Sequence, residues 1–252
     1  MRKACALVVG VGDRNGMGAA VSVLAASQGL HVFMVGRTPG KLDPLVHEIA
    51  NAGGSAAALV ADCTVPADME QVFRTVGSSA EPLHLVVYNA GRNVPSPFLK
   101  SDVDLLDAHF KRCAYGGLLV GQGALRMMLE QDDEGGHKGT ILYTGASASI
   151  RGKPMFAGFS AAKAGLRNMV QSMAREFGPR GVHIAHIVID GVVDGAIVQE
   201  LDGGIGRFLL RRKGVDGALK PDQVARSFWM LHQQHRSAWT HELDLRPWKE
   251  SF

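Results

Sequence analysis

A chain of 252 residues, 46% hydrophobic and 20% charged, is long enough to bury one large core and lacks the composition of a disordered or fibrous protein. Its formal charge of +3 includes no basic run longer than Arg211-Arg212-Lys213, which argues against a nucleic-acid partner. Three cysteines, Cys5, Cys63 and Cys113, share no metal-ligand spacing, so neither a disulfide framework nor a zinc site is expected and a reducing cytoplasm fits best.

The first apolar run, residues 4–9, is broken at once by Gly10 and Gly12. It is too short for a signal peptide or a membrane span and reads as a strand. From there the periodicity predicts helix over 16–28, strand over 31–35, helix over 41–52, strand over 56–60, helix over 69–78 and strand over 83–88. A long helix over 103–130 follows, then strand over 139–144, helix over 156–177, strand over 182–189, helix over 221–233 and a last strand over 239–245. Seven strands alternating with helices imply βαβ units. The fold class is α/β, a Rossmann-like doubly wound parallel sheet with helices on both faces, in one domain spanning 1–252. Residues 132–138 form a polar, Gly-rich loop. The segment 194–219 has no clear period and follows a strand end, where either a surface excursion or a substrate lid would sit.

Between the first strand and the first helix stand Gly10, Gly12, Asp13, Arg14, Asn15, Gly16, Met17 and Gly18. Glycines there let the backbone approach a pyrophosphate, and the helix N-terminus offers free N–H groups and a favourable dipole. The spacing Gly12-x-x-x-Gly16-x-Gly18 resembles the glycine motif of the short-chain dehydrogenases/reductases. Further segments match that family in order: Asp62 after the third strand, Asn89-Ala90-Gly91 after the fourth, Lys163 in Phe159-Ser160-Ala161-Ala162-Lys163, and Gly191 after the sixth. The resemblance covers essentially the whole chain. It implies cofactor contacts from Gly12, Arg14, Asn15, Gly16, Met17, Gly18, Asp62, Asn89, Ala90, Gly91, Lys163 and Gly191, and a homodimer or homotetramer. At the end of the second strand, where an acidic side chain would select NAD, the residues are Gly36 and Arg37. A guanidinium there suits a 2′-phosphate, so NADP is expected over NAD, although Asp13 places a negative charge nearby.

The same resemblance exposes what is missing. The family's proton-transferring Tyr, four residues before the Lys, is Phe159 here, and the alternative position seven residues before it is Phe156. The family's Ser falls at Ala146, with Ser147 beside it as the substitute that a one-residue shift would bring in. Its supporting Asn falls at Cys113, and its usual Pro before Gly191 is Asp190. His186 and Asp190 suggest a relay or, more ordinarily, a satisfied strand histidine. His232 and His235 lie on one helix turn but lack a third ligand for a metal, so they read as a polar helix end. Trp248 and Phe252 suggest interface anchors.

Two classes of function follow. One is an NADP(H)-dependent oxidoreductase acting on a small carbonyl or alcohol, with Lys163 and Ser147 in the catalytic positions and an atypical proton source. The other is a nucleotide-binding regulator or scaffold with decayed catalytic groups, or a non-redox lyase or isomerase on the same fold. Neither a membrane nor a metal is implied.

Overall fold

Strands buried on both faces must be apolar along their whole length, and the short runs in this chain have that character. In the computed structural model, which describes residues 4–131, 135–199 and 205–251, they pair into one parallel sheet. Its strands are β1 (Cys5–Val9), β2 (His31–Gly36), β3 (Ser55–Val60), β4 (Leu83–Tyr88), β5 (Gly139–Thr144), β6 (Val182–Ile189) and β7 (Glu242–Leu245). The order is β3-β2-β1-β4-β5-β6-β7. The chain winds outward from β1 to β3 and then resumes at β4 on the other side of β1. This reversal opens a crevice at the C-terminal ends of β1 and β4.

The period of two sends Cys5, Leu7 and Val9 to one face and Ala6 and Val8 to the other, which makes two cores. Helices α3 (Pro66–Gly77), α5 (Gly116–Glu130) and α6 (Ala157–Phe177) close the first. Helices α1 (Met17–Ser27), α2 (Pro39–Asn51) and α9 (Pro221–His232) close the second. Two shorter helices, α7 (Ala196–Gln199) and α8 (Ile205–Lys213), fill much of the segment read as an excursion or a lid, while residues 200–204 within it lie outside the described residues. Its ends are joined: Asp194 N donates to Leu219 O and Leu219 N to Val192 O, both at 2.8 Å. Within the polar loop 132–138, residues 132–134 are outside the described residues.

Two elements depart from expectation. The last strand begins at Glu242 rather than 239, because residues 236–238 form a 3₁₀ turn and Thr240 N is taken by the Gln234 amide at 2.8 Å. The long helix is interrupted: α4 (Val103–Phe110) passes through a π-turn at Lys111–Tyr115 before continuing as α5. One extra residue in the turn frees a carbonyl, and the buried Tyr88 hydroxyl takes it, donating to Arg112 O. Among the described residues no helix is long and apolar enough to cross a membrane.

Candidate functional site

The crevice is a cleft of about 650 Å³ running from the end of β3 across β2, β1, β4 and β5 to β6. Its floor at β1 is the glycine loop, and close packing explains the glycines. Gly10 has φ +91°, and a Cβ there would lie 2.6 Å from Ala90 N; a Cβ on Gly18 would lie 2.9 Å from Gly10 O. At Gly12 a Cβ would meet nothing within 4 Å. Helix α1 begins at Met17 with no side chain capping it, so its first N–H groups remain available to an anion in the cleft. Gly12, Gly16, Met17 and Gly18 line the cleft. Arg14 and Asn15 do not: Arg14 pairs with Glu48 on α2, and Asn15 presents its carbonyl to Gly195, whose Cβ would sit 2.8 Å away.

At the β2 end the structure gives a steric reason for the residue found. A Cβ on Gly36 would lie 2.3 Å from Val11 O, so this position has no space for any side chain, acidic ones included. Arg37 follows, 65% exposed, with its guanidinium 3.7 Å from the Asp62 carboxylate across the adenosine end. Burial acts to raise the pKa of Asp62, but hydrogen bonds from Thr64 and the charges of Arg37 and Arg112 outweigh it and hold the carboxyl below its usual range. The unfavourable charge of Asp13 is met by Lys41 at 2.7 Å.

A ladder of buried polar contacts joins the middle of the cleft. Asn89 Nδ2 donates to Gly10 O at 3.2 Å, Thr144 Oγ1 donates to Asn89 Oδ1 at 3.0 Å, and Lys163 Nζ donates to Thr144 O at 2.7 Å. Each partner fixes the next, so the glycine loop, β4, β5 and α6 are held in register by side chains as well as by the sheet. Lys163 is nearly fully buried, and burial lowers its pKa while nearby Cys113 opposes the shift. Gly91 passes so close that its Cβ would lie 3.3 Å from the Lys163 ammonium. Asn89, Ala90, Gly91, Asp62, Arg37, Lys163 and Gly191 all line the one cleft.

Beyond Lys163 the chemistry changes. Phe159 is buried and packs with Cys113 and Ala162, and Ala146 and Ala148 lie against them. The three positions that the resemblance assigns to Tyr, Ser and Asn therefore come together in space, as Phe159, Ala146 and Cys113, in one apolar cluster. Burial raises the Cys113 thiol despite Lys163 and Arg112 nearby. No tyrosine lines the cleft: Tyr88 and Tyr143 are buried, with their hydroxyls spent on Arg112 O and Gly117 O and their pKa values pushed up by burial, and Tyr115 is exposed on the π-turn.

Ser147 lines the cleft at the start of a 3₁₀ turn. Burial acts to raise Asp190, yet hydrogen bonding from Ser147 and Arg151 and the charges of Arg151 and Arg246 hold it below the usual carboxylate range. Arg151 Nη2 reaches both Asp190 oxygens, at 2.6 and 2.8 Å. The relay suggested for His186 and Asp190 does not form. Four residues of strand span about 13 Å, and His186 turns its Nδ1 to Glu242 on β7 at 3.1 Å instead. Nor do His232 and His235 converge: one bonds Thr140 Oγ1 at 3.0 Å and the other Ser237 Oγ at 2.8 Å, and among the described residues no cluster of His, Cys, Asp or Glu could hold a metal. Trp248 is exposed, with Lys249 over its ring, while Phe252 is outside the described residues.

Sequence reasoning missed Arg92, Arg151, Lys153 and Glu250, all in the cleft wall. Position beside a motif was the available signal for Arg92, which follows Asn89-Ala90-Gly91. Glu250 had none, because it is brought in by the C-terminal tail, where Pro247 packs on Gly191.

A family profile described as short chain dehydrogenase matches residues 4–205. Over 173 residues the chain is 30% identical to an oxidoreductase, asL5, of Sarocladium schorii, a match covering 69% of this chain and 66% of that protein. Among solved structures, a short-chain dehydrogenase from Rhodopseudomonas palustris is similar at TM-score 0.79 and 33% identity, covering 98% of this chain and 100% of that one. A metagenomic short-chain oxidoreductase in complex with NADP shares the fold at TM-score 0.78 and 21% identity, covering 97% and 96%.

Proposed function

The chain belongs to the short-chain dehydrogenase family of oxidoreductases, which bind NAD(P), and from that premise we propose that it is an NADP(H)-dependent enzyme moving hydride to or from a small carbonyl or alcohol substrate, with an altered proton-transfer site. The observation that carries the cofactor choice is the pairing of Gly36, which has no room for a selective carboxylate, with the exposed guanidinium of Arg37. Neutralisation of Asp13 by Lys41 removes the main objection to a 2′-phosphate. The similarity to a relative solved with NADP points the same way.

When bound, the nicotinamide group supplies or accepts the hydride. The chain's own residues do the rest. The glycine loop and the α1 N-terminus hold the pyrophosphate. Asp62 and Asn89-Ala90-Gly91 flank the adenosine and its ribose, and Lys163, braced on Thr144, holds the second ribose. Gly191 and the Pro247 packed on it shape the far wall. Ser147, in the cleft wall, orients the substrate oxygen. Asp190 is held ionised beside its arginines and is not the acid, so the proton comes from water or through Ser147. The described parts of segment 194–219, helices α7 and α8, serve as a substrate lid at this end. We further propose a cytoplasmic homo-oligomer assembled through α4 and α5, because Val103, Leu106, Phe110 and Leu118 leave an apolar face exposed there.

A second reading has its own support. The apolar cluster of Phe159, Ala146 and Cys113 is what a nucleotide-binding regulator without turnover would retain. Fluorescence titration of nucleotide-free protein with NADPH and NADH is the first test. Selective NADPH binding is expected; binding of neither nucleotide overturns the oxidoreductase reading.

A further inference from the structure

The wall of the cleft carries more positive charge than its carboxylates neutralise. Asp13 is matched by Lys41, Asp62 by Arg37 and Glu250 by Lys213, and Asp190, buried behind the wall, by Arg151. Arg92, Arg112 and Lys153 also line the cleft, and among the described residues none of the three forms an ion pair. Arg112 lies between the two halves, its charge acting on both Asp62 and Cys113. Arg92 and Lys153 remain.

Their positions place them at the other end. Arg92 follows Gly91, which lies against the Lys163 ammonium, and Lys153 stands between Arg151, fixed on Asp190, and Phe156. The two loops that carry them are tied together, with Ser96 N donating to Met155 O at 2.7 Å. Both cations are exposed, and the same cleft is lined by Phe156, Phe159, Ala146 and Ala148, the last three packed in one apolar cluster. The phosphates of a dinucleotide belong at the glycine loop under β1, on the opposite side of the Asn89-Ala90-Gly91 turn. An apolar floor with a guanidinium and an ammonium at its rim fits a molecule with an apolar body and an anionic end.

We propose that the substrate is a carbonyl or alcohol compound bearing an anionic group, a carboxylate or a phosphate, which Arg92 and Lys153 hold at the mouth of the cleft while the reacting carbon lies over the Phe159 floor. This assignment names the substrate class of the oxidoreductase reading and rests on it for the reaction, but not for the binding.

The test uses the full chain saturated with NADPH and three probes sharing one apolar body: benzoate, phenyl phosphate and neutral benzamide, titrated by NADPH fluorescence and by thermal shift. At least one anion should bind about tenfold or more tightly than benzamide, and whichever anion binds better identifies the group. In the double variant Arg92→Gln/Lys153→Gln that advantage should fall about tenfold or more with NADPH affinity unchanged. Equal binding of all three probes, binding of none, or an anion preference that survives the double variant overturns the proposal. So does a loss of NADPH affinity in the double variant, which would assign the two cations to the nucleotide. The wild-type comparison stands even if the double variant does not fold. Anion binding without turnover of any anionic ketone would leave the anion site at Arg92 and Lys153 standing but overturn the oxidoreductase reading, and with it the assignment of that anion as the substrate.

Discussion

The two ends of the cleft are built at the same edge of the same sheet, yet they spend their side chains differently. Around the glycine loop, Asn89, Thr144 and Lys163 form a connected run of hydrogen bonds, and every carboxylate that lines this half has a partner. Past Lys163 the equivalent run would pass through positions 113, 146 and 159, and there the chain supplies sulfur, a methyl group and a phenyl ring packed together. Buried polar networks are stable only when complete, so a methyl group and a phenyl ring, which need no partner, are a consistent filling for this end, although Ser160 Oγ and His186 Nε2 beside it have no hydrogen-bond partner in the protein. On the roles proposed above, binding and proton transfer are separable in this fold, and change at one end need not disturb the other.

The largest expected effect comes from restoring the missing end. Phe159→Tyr with Ala146→Ser should raise kcat on a panel of ketones by roughly 10²-fold or more, the range a positioned proton donor contributes, and should leave NADPH affinity unchanged. A flat response with nucleotide binding intact would mean that Cys113 and the π-turn, rather than those two side chains, limit the site.

Damage to the intact end should be nearly as large. Gly36→Ala would place a methyl group 2.3 Å from Val11 O, and the glycine loop must move to admit it. A strain of about 1–3 kcal/mol, or roughly 5- to 150-fold in NADPH affinity, is expected by titration, with a lowered melting temperature. Unchanged affinity would show that the loop is softer than its contacts suggest.

The extent to which these ends were legible in the sequence follows the same division. The strands were readable because a parallel sheet buries both faces and so demands continuous apolar runs, such as Cys5–Val9, between turn residues. The loss at Phe159 was readable because a helix fixes the four-residue offset to Lys163. The π-turn at Lys111–Tyr115 was not, since one inserted residue barely disturbs a 3.6-residue period over so long a helix. The grouping of Arg92 with Lys153 was hidden for another reason: it depends on loops joined by a Ser96–Met155 backbone contact that no side-chain pattern records. His186 and Asp190 looked like partners because they share a sheet face, but strand rise separates them and β7 offered His186 a nearer carboxylate.

A smaller effect tests cofactor choice. Arg37→Ala should lower the ratio of NADPH to NADH affinity about tenfold, the scale of one charge-assisted contact to a 2′-phosphate, with no measurable change in stability because the side chain is mostly exposed. An unchanged ratio would take the 2′-phosphate away from Arg37 and with it the main support for NADP.

The smallest effect asks whether the altered end carries any group that titrates near neutrality. His186 lies behind Gly145, whose Cβ would sit 2.3 Å from its Nε2. Burial pushes its pKa down from 6.5 to about 4, with the charges of Lys163 and Arg167 adding to the fall and Glu242 opposing it. A histidine held neutral in the fold but free to protonate when unfolded contributes stability that is complete above about pH 6.5 and is lost as pH falls towards 4. The melting temperature should therefore decline across that window by a few degrees, with His232, which burial also pushes to about 4, adding its share, and His186→Gln should lessen the decline without abolishing it. Affinity for NADPH should hold over the upper part of the same window, because no histidine lines the cleft. If nucleotide affinity instead fell in step with stability, a charge on His186 would be reaching the ribose end through Lys163, and the two halves of the cleft would be coupled rather than independent.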